Sequence, residues 1–390
     1  MFERLEPQPP DALLALIGQF RDDTRAEKID LGVGVYRDEA GHTPVFKAVK
    51  GAERQLAEDQ PTKAYLGPEG NRRFTAALAP VVLGAFASDA RLAAVQTPGG
   101  TGALRLAADL IAAATPDARV WMGTPSWPNH PPLMRAAGLE LATYRHFDPA
   151  RQSVCFDEMM TALEGAVCGD VVLLHGCCHN PTGADLDDAQ WTALVELLAK
   201  RGLVPLLDLA YQGLGDGLEA DAKGVRAVME RLDEALLAYS CDKNFGLYRE
   251  RTGALFLRAR DAGAARSAYS NALACARANW SMPPDHGAEV VARILESETL
   301  NARWLGELDG MRARIADVRK RLAAADPVFA PLARQKGMFS LLPVDTAAVS
   351  RLKSDHAVYM AGSGRINVCG LAPDNIDRFV AALREQMAKS

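Results

Sequence analysis

The 390-residue sequence has little of what marks nucleic-acid-binding, membrane-spanning or disulfide-stabilised proteins. Its formal net charge is -5, so it has no basic excess to attract a nucleic acid or an anionic membrane surface. No apolar run approaches the ~18 residues of a spanning helix, and residues 1–11 carry acids and prolines instead of a secretory signal. Seven cysteines are scattered without disulfide-like spacing. These absences predict a cytoplasmic protein with reduced thiols and small-molecule partners.

The composition is that of an ordinary globular protein, with 48% hydrophobic and 24% charged residues. A chain of this length predicts two domains, at roughly 100 to 200 residues each. Between about residues 93 and 260, short apolar runs alternate with helical patterns, which predicts a mostly parallel sheet covered by helices. The predicted strands are Ala93–Val95, Val120–Met122, Leu139–Tyr144, Val171–His175, Leu203–Leu209, Leu236–Tyr239 and Ala254–Leu257.

The C-terminal part of the chain has a different pattern. A long helical stretch from Ala288 to Lys320 precedes two further predicted strands, Met338–Leu342 and Arg365–Val368, and a terminal helix from Asp374. The segment before residue 45 is too short for a domain, so we expect it to join this C-terminal unit. The predicted division is a large domain over 45–310 and a smaller α+β domain formed by 1–44 and 311–390.

A glycine-rich segment follows the first predicted strand. Gln96–Gly102, of sequence Gln-Thr-Pro-Gly-Gly-Thr-Gly, opens a helix predicted over Ala103–Ala114. Free N–H groups and the helix dipole at such a start suit a phosphate, although a plain tight turn explains the glycines equally well. The segment lacks the Lys-Ser or Lys-Thr pair of a nucleotide-binding P-loop. A nucleotide site is therefore the weakest interpretation.

Two further loops after strands carry unusual side chains. In Thr124–His130, Trp127 is placed either to cover a flat cofactor ring or to lie at the rim of a site. In His175–Gly183, two histidines and two cysteines fall within five consecutive residues, which cannot surround a tetrahedral ion, so we expect no metal. The amide of Asn180 in the same loop can donate to a phenolate oxygen.

Asp208 interrupts an otherwise apolar strand, where an unpaired carboxylate is costly. Its partner is either a protonated pyridine nitrogen or the cation of a structural salt bridge. Tyr211 lies three residues later and is placed to reach the same ring. Carboxyl ends of parallel strands meet at one edge of a sheet, so we expect these residues to converge.

Lys243 lies between the last two predicted strands, in an apolar setting. Desolvation lowers the pKa of a lysine and makes its amine a usable nucleophile for a Schiff base. Ser240 and Arg251 are placed to hold a phosphate nearby, although a solvated loop lysine is the common alternative. Taken together, the phosphate cradle, stacking aromatic, phenolate donors, buried Asp and buried Lys match the functional groups of pyridoxal phosphate.

These residues resemble, essentially end to end, the aspartate and aromatic aminotransferases of fold type I. The resemblance implies an α/β fold, in which a large domain with a mostly parallel seven-stranded sheet binds pyridoxal 5'-phosphate beside a smaller α+β domain. It also implies a homodimer whose active sites are shared between subunits. The matching segments are Leu31–Tyr36, Tyr65–Gly67, Gly99–Arg105, Pro125–His130, His179–Gly183, Asp208–Tyr211, Lys243–Tyr248 and Ser363–Asn367.

The resemblance also implies roles for individual residues at the cofactor. Lys243 would be the Schiff-base lysine and proton shuttle, Asp208 the partner of the ring nitrogen, supported by His130, and Trp127 the stacked ring. The implied catalytic residues are Lys243, Asp208, Trp127 and Tyr65. Asn180 and Tyr211 would bind the phenolate oxygen, and the phosphate would be bound by Gly99, Gly100, Thr101, Ser240, Arg251 and, from the second subunit, Tyr65.

Substrate binding is implied for a second set of residues. Arg365 would clamp the α-carboxylate with its planar fork, and Arg277 of the other subunit would meet a side-chain carboxylate. Gly34 would let the backbone close near the substrate, which Trp127 and Asn180 would also contact. The paired arginines favour transamination over the alternatives of a lyase or a regulator without turnover on the same fold.

The expected reaction is a ping-pong transfer of the amino group from aspartate, tyrosine or phenylalanine to 2-oxoglutarate. Two departures from the family pattern bear on it. Asp242 stands where the family usually has Ser, and a carboxylate there should weaken cofactor retention unless a cation intervenes. Met282 stands where aspartate-specific relatives carry Asn, which favours dual specificity over a strict aspartate aminotransferase.

Overall fold

The computed structural model describes residues 1–7 and 12–389, so the part of the N-terminal prediction that falls on residues 8–11 lies outside the described residues. A seven-stranded sheet forms the centre of the fold. It confirms every strand predicted between residues 93 and 260, and the largest difference is at the first strand, which continues to Pro98. Across the sheet the order is Leu92–Pro98, Thr252–Arg258, Ala235–Ser240, Val204–Leu209, Val171–His175, Arg119–Thr124 and Glu140–Arg145.

Helices cover the sheet, and one strand runs against the others. Thr252–Arg258 pairs antiparallel with both of its neighbours, whereas the remaining pairs are parallel. Strands such as Ala235–Ser240 are buried along their whole length, as strands covered on both faces are. The α-helices are Ala12–Asp22, Lys47–Asp59, Arg72–Leu83, Gly99–Ala114, His130–Ala136, Phe156–Glu164, Asp188–Arg201, Leu218–Asp221, Lys223–Arg231, Ala262–Asn279, His286–Glu296, Glu298–Ala325, Thr346–His356 and Ile376–Met387.

Two helical predictions need correction. The stretch expected from Ala288 to Lys320 is divided at Ser297, whose extended backbone ends one helix and whose Oγ accepts from Leu300 N at 3.3 Å to cap the next. The glycine-rich segment is not a separate turn before a helix that starts at Ala103. Instead, Gly99 adopts a φ of +69°, which turns the chain from strand directly into helix.

Short strand pairs connect the N-terminal segment with the C-terminal region. Ile29–Asp30 pairs parallel with Val358–Tyr359, and Arg25 Nη1 donates to Ser354 O at 2.7 Å. Phe339–Leu341 pairs antiparallel with Arg365–Asn367. These contacts join the segment before residue 45 to the C-terminal region, while the exact domain boundaries stay a prediction. Within the described residues, no helix is both long and apolar enough to cross a membrane.

The sheet topology brings distant parts of the sequence to one edge. His175 lies beside Asp208 in the register of parallel strands, and Asp208 lies beside Ala238 on the next strand. Because Thr252–Arg258 is antiparallel, its beginning, not its end, reaches the same edge, where Thr252 pairs with Pro98. The edge therefore collects the carboxyl ends of several strands and the residues just before Thr252.

Candidate active site

A cleft of about 210 Å³ opens at this edge of the sheet. It brings together residues from segments that are separated by more than 300 positions in the sequence, from Gly34 to Arg365. Most of the residues predicted for cofactor or substrate binding line it. The lining residues are Gly34, Gly100, Thr101, Leu104, Trp127, His175, Asn180, Asp208, Ala210, Tyr211, Ser240, Asp242, Lys243, Arg251, Phe339 and Arg365.

Lys243 lies in the turn that follows strand Ala235–Ser240, with its amine in the cleft. Its Nζ is 5.2 Å from the centroid of the Tyr211 ring. Burial lowers the pKa of Lys243, and Arg251 lowers it further, whereas Asp242 and Asp208 act in the opposite direction. The net shift is downward, which raises the fraction of neutral amine that can attack a carbonyl carbon.

Asp208 is held in place by a chain of hydrogen bonds on the inner side of the cleft. Its Oδ2 is 2.9 Å from His130 Nε2, and His130 Nδ1 is 2.8 Å from Ser126 Oγ. Burial alone raises the pKa of Asp208, but the hydrogen bond with His130 and nearby positive charge, including Lys243, bring the pKa below its usual value. The carboxylate therefore stays ionised and can pair with a cationic ring nitrogen.

Trp127 lies over this part of the cleft. Its ring makes an edge-to-face contact with the buried His130, with centroids 5.2 Å apart and an interplanar angle of 89°. The contact holds the indole beside the Asp208 network, and Trp127 is among the residues that line the cleft. A flat aromatic ligand whose nitrogen meets Asp208 would therefore lie near the indole.

Glycines allow the start of helix Gly99–Ala114 to approach the other end of the cleft. A Cβ added at Gly99 would lie 2.4 Å from Arg251 Nη2, and one added at Gly100 would lie 3.0 Å from Ser240 Cβ. Side chains at either position would push these groups away. The helix N-terminus, Ser240 and Arg251 therefore surround one space, with Thr101 at its border, and their donors suit an anion.

Asp242 enters the same space and forms an ion pair with Arg251 through Oδ2 and Nη1. Its side chain is only 4% exposed. The sequence does not show whether a cation lies beside this carboxylate. In the structure one does, and it is Arg251, the arginine that we expect to bind the phosphate.

Arg365, Asn180 and Tyr211 also line the cleft. Arg365 is only 4% exposed. Its Nη2 donates to Gly32 O at 2.7 Å, and this hydrogen bond holds the guanidinium in place. The buried Oδ1 of Asn180 has no hydrogen-bond partner among the described residues. Burial raises the pKa of the Tyr211 phenol, so it is a neutral hydroxyl that can donate a hydrogen bond. These groups offer a cation, an amide and a hydroxyl to a ligand.

Four predicted residues are not among those that line the cleft: Gly99 and His130 contact residues that do, whereas Tyr65 and Arg277 lie outside it. Tyr65 is 94% exposed, and Arg277 is exposed in the last turn of helix Ala262–Asn279, where it hydrogen-bonds Ser281. The backbone N–H of Leu66 donates to Met282 Sδ at 3.0 Å, so the loop of Tyr65 lies against the segment that follows Arg277. Both residues thus belong to one outward-facing region.

Several residues of the site were not predicted. Phe339 contacts Arg365, whose guanidinium carbon is 4.7 Å from its ring centroid, and it also packs edge-on against Tyr211. No local pattern around Phe339 indicates this role, since it depends on how the C-terminal region docks. The role of Ser126 could have been predicted from the sequence, because a hydroxyl four residues before His130 can reach the imidazole at a loop-to-helix junction.

His175 and the two cysteines of loop His175–Gly183 belong to separate groups of metal-ligand-type side chains. Within the described residues, His175 clusters with His130 and Asp208, whereas Cys177 and Cys178 cluster with Asp221. His130 already hydrogen-bonds the carboxylate of Asp208 in the first group. The loop His175–Gly183 therefore does not gather its four ligand-type side chains around one point.

Each part of the cleft matches one functional group of pyridoxal phosphate. The cradle at Gly99 and Arg251 suits the phosphate, Lys243 the aldehyde and Asp208 the ring nitrogen. The amide N–H of Asn180 and the neutral hydroxyl of Tyr211 line the cleft and can donate hydrogen bonds to the remaining oxygen substituent. The residues present fit the cofactor, and the class of protein that they define is a pyridoxal-phosphate-dependent enzyme.

Comparison with known proteins gives the family. The model of the family "Aminotransferase class I and II" matches residues 26–383. The chain is 52% identical to a tyrosine aminotransferase of Rhizobium meliloti, over 95% of this chain and 96% of that protein. It is 46% identical to an aspartate aminotransferase of Salmonella typhi, over 96% and 97% of the two chains.

A solved structure gives the same result. An aromatic-amino-acid aminotransferase of Burkholderia pseudomallei, covalently bound to pyridoxal phosphate, superposes with a TM-score of 0.95 at 39% identity, covering 99% of each chain. The chain therefore belongs to the aminotransferase class I and II family. This confirms the predicted fold class, the aminotransferase activity and the cofactor, pyridoxal 5'-phosphate.

Proposed function

We propose that this enzyme transfers the amino group of aspartate, tyrosine or phenylalanine to 2-oxoglutarate in a ping-pong reaction. The observation that carries the proposal is a single cleft that combines a buried amine, Lys243, with a buried guanidinium, Arg365. An α-amino acid bound to Arg365 by its carboxylate presents its amino group and Cα–H toward the interior of that cleft. The names of the relatives support both substrate types, since they include tyrosine and aspartate aminotransferases.

The chain supplies positioning and proton transfer. When bound, pyridoxal phosphate supplies an electron sink for the negative charge left at the substrate Cα. Lys243 is the base that takes the Cα proton and returns it, because its lowered pKa leaves neutral amine available. Asp208 holds a positive charge on the ring nitrogen, and His130 and Ser126 keep its carboxylate oriented. Arg365 fixes the α-carboxylate, with Gly34 and Asn180 beside it.

We also propose a cytoplasmic homodimer with shared active sites. Tyr65 and Arg277 would enter the partner's cleft, Tyr65 at the phosphate and Arg277 at the side-chain carboxylate of the substrate. Their common outward-facing region, joined by the contact of Leu66 with Met282, supports this assignment. The seven free cysteines fit a reducing compartment.

Dual specificity follows from the pocket that Arg277 would enter. Its charge would pair with the β- or γ-carboxylate of aspartate or glutamate. When the mobile arginine side chain swings away, Val35, Ala64, Trp127 and Met282 would offer an apolar lining to an aromatic ring. A strict aspartate enzyme has no need of this apolar lining, which favours the dual-specificity proposal.

A matrix of amino acids against 2-oxo acids, measured with the purified enzyme, tests the proposal. We expect turnover of aspartate, tyrosine and phenylalanine with 2-oxoglutarate, and of glutamate with the 2-oxo acid of aspartate as the acceptor. Tyrosine and phenylalanine efficiencies several orders of magnitude below those of aspartate would reject the aromatic half, and the reverse result would reject the role of Arg277. A lyase would form product without any 2-oxo acid acceptor, and a regulator would form none.

A further inference from the structure

The carboxylate of Asp242 has an unusual position in the cleft. The residue is 3% exposed, and the only charged group that contacts its carboxylate in the described structure is Arg251, which it meets through Oδ2. The other oxygen, Oδ1, is buried and has no hydrogen-bond partner among the described residues. A buried carboxylate oxygen without a donor is destabilising, so this side chain is held mainly by Arg251.

Asp242 occupies a position that favours anions. Its Oδ2 is 3.3 Å from the place where a Cβ on Gly99 would lie, at the start of helix Gly99–Ala114. That helix has no acidic residue in its first turn and no side-chain cap, so none of its own side chains complements the positive end of its dipole. The backbone N–H of Asp242 also donates to Ser240 Oγ at 3.2 Å, which fixes the residue beside the cradle.

A phosphate would need the same partners. It carries a charge of about -1.5 to -2 and accepts hydrogen bonds from arginine and from helix N-termini. Arg251 is already paired with Asp242, and a second anion brought to the guanidinium must either displace the carboxylate or lie beside it. The Asp242 carboxylate and a phosphate that share Arg251 repel each other, and we expect this repulsion to weaken phosphate binding by about tenfold or more.

We propose that Asp242 is an internal anion that competes with the cofactor phosphate for Arg251, and that it thereby lowers the preference of the apoenzyme for phosphorylated over unphosphorylated cofactor. The inference rests on the proposed function in one respect, since it takes pyridoxal phosphate as the ligand of this cleft. It assigns Asp242 to the control of phosphate affinity and not to the chemical steps.

A simple affinity measurement does not isolate this effect, because Asp242 also acts on Lys243. Its charge raises the pKa of the Lys243 amine, so removing it changes the reactivity of that amine toward any aldehyde. Pyridoxal and pyridoxal phosphate share the aldehyde and the ring and differ only in the phosphate group. The ratio of their dissociation constants therefore cancels the effect on Lys243.

The experiment titrates the apoenzyme with pyridoxal phosphate and with pyridoxal, followed by intrinsic tryptophan fluorescence. The variants are Asp242→Asn, which keeps the shape of the side chain, and Asp242→Ser, which removes the charge and shortens the side chain. Asp233→Asn is the matched control, because Asp233 is 78% exposed and precedes strand Ala235–Ser240, at the end of that strand opposite Asp242. Isothermal titration calorimetry with inorganic phosphate is the second, aldehyde-free measurement.

We expect the ratio of the pyridoxal to the pyridoxal phosphate dissociation constant to rise about tenfold or more in both Asp242 variants and to stay unchanged in Asp233→Asn. Inorganic phosphate should bind more tightly to Asp242→Asn than to the wild type. Ratios within about twofold of the wild type in both Asp242 variants, with unchanged phosphate binding, would overturn the inference and leave the proposed function intact. An apoenzyme that binds neither aldehyde would overturn both.

Discussion

The two ends of the cleft each contain a buried aspartate, and the two are paired differently. Asp208, at the ring end, hydrogen-bonds His130, which is held in turn by Ser126. Asp242, at the end where we expect the phosphate, meets one arginine and has one oxygen without a hydrogen-bond partner among the described residues. The first pairing involves side chains to which we assign no contact with the cofactor. The second involves Arg251, which we expect to bind the cofactor phosphate, so burial and charge alone do not reveal which aspartate supports the chemistry.

The largest expected effect comes from the amine that lies between these ends. Replacement of Lys243 by Ala should reduce transamination by several orders of magnitude, because it removes both the nucleophile and the base. The dimer and the fold should remain, as shown by size-exclusion chromatography and circular dichroism. A borohydride-reducible adduct on another lysine, located by peptide mapping, would show that the amine has been assigned wrongly.

The comparison predicts unequal losses at the two ends. Asp208→Ala should lower kcat by roughly a hundredfold or more, because the ring nitrogen loses the charge that keeps it protonated. Asp242→Ala, measured at saturating pyridoxal phosphate, should change kcat by less than about tenfold, because it acts on affinity. Steady-state kinetics at a series of cofactor concentrations separates the two. Similar kcat losses in both variants would remove the distinction between the ends.

A mixing experiment extends the comparison to the residues outside the cleft. Arg277→Ala and Lys243→Ala chains, unfolded together and refolded, should recover about a quarter of the wild-type aspartate activity, because half of the dimers contain one complete site of two. Each variant refolded alone is the control. Recovery no greater than the average of the two controls would show that Arg277 serves the cleft of its own chain or no cleft.

The smallest effect concerns stability at acid pH. The pKa of Asp208 lies below its usual value near 4, so the folded chain binds fewer protons there than the unfolded chain does. The resulting stabilisation is complete above the unfolded pKa and is lost as the pH falls through the folded one. Urea denaturation should therefore show that the free-energy difference between wild type and Asp208→Asn decreases from pH 6 to pH 3. A difference independent of pH would contradict the ionised state of Asp208.

The sequence predicts much of this molecule because its main signals are local. Apolar runs bounded by glycine and polar residues identify strands such as Val171–His175, and the polar residues that follow them converge because parallel strands share one edge. The pairing of Asp242 with Arg251 is different. It depends on the antiparallel strand Thr252–Arg258, which brings Arg251 back to the edge with a φ of +54°. Neither strand direction nor that left-handed backbone is visible in a local pattern.

Phe339 illustrates the second limit. Its contact with Arg365 requires the pairing of Phe339–Leu341 with Arg365–Asn367 and the placement of this pair over the cleft. Periodicity identifies both short strands but not the surface to which they dock. Residues such as Phe339 reach the cleft only because the C-terminal region packs over it. They can therefore be found only from the structure or from a resemblance that already includes them.

A half-reaction measures directly whether this cleft carries out transamination. Purified enzyme loaded with pyridoxal phosphate is mixed with aspartate or tyrosine in the absence of any 2-oxo acid, and absorbance and released products are measured. We expect conversion of the cofactor to its pyridoxamine form with both amino acids, and about one equivalent of 2-oxo acid per Lys243. Conversion with neither amino acid, or release of ammonia or carbon dioxide with the cofactor unchanged, would contradict this expectation.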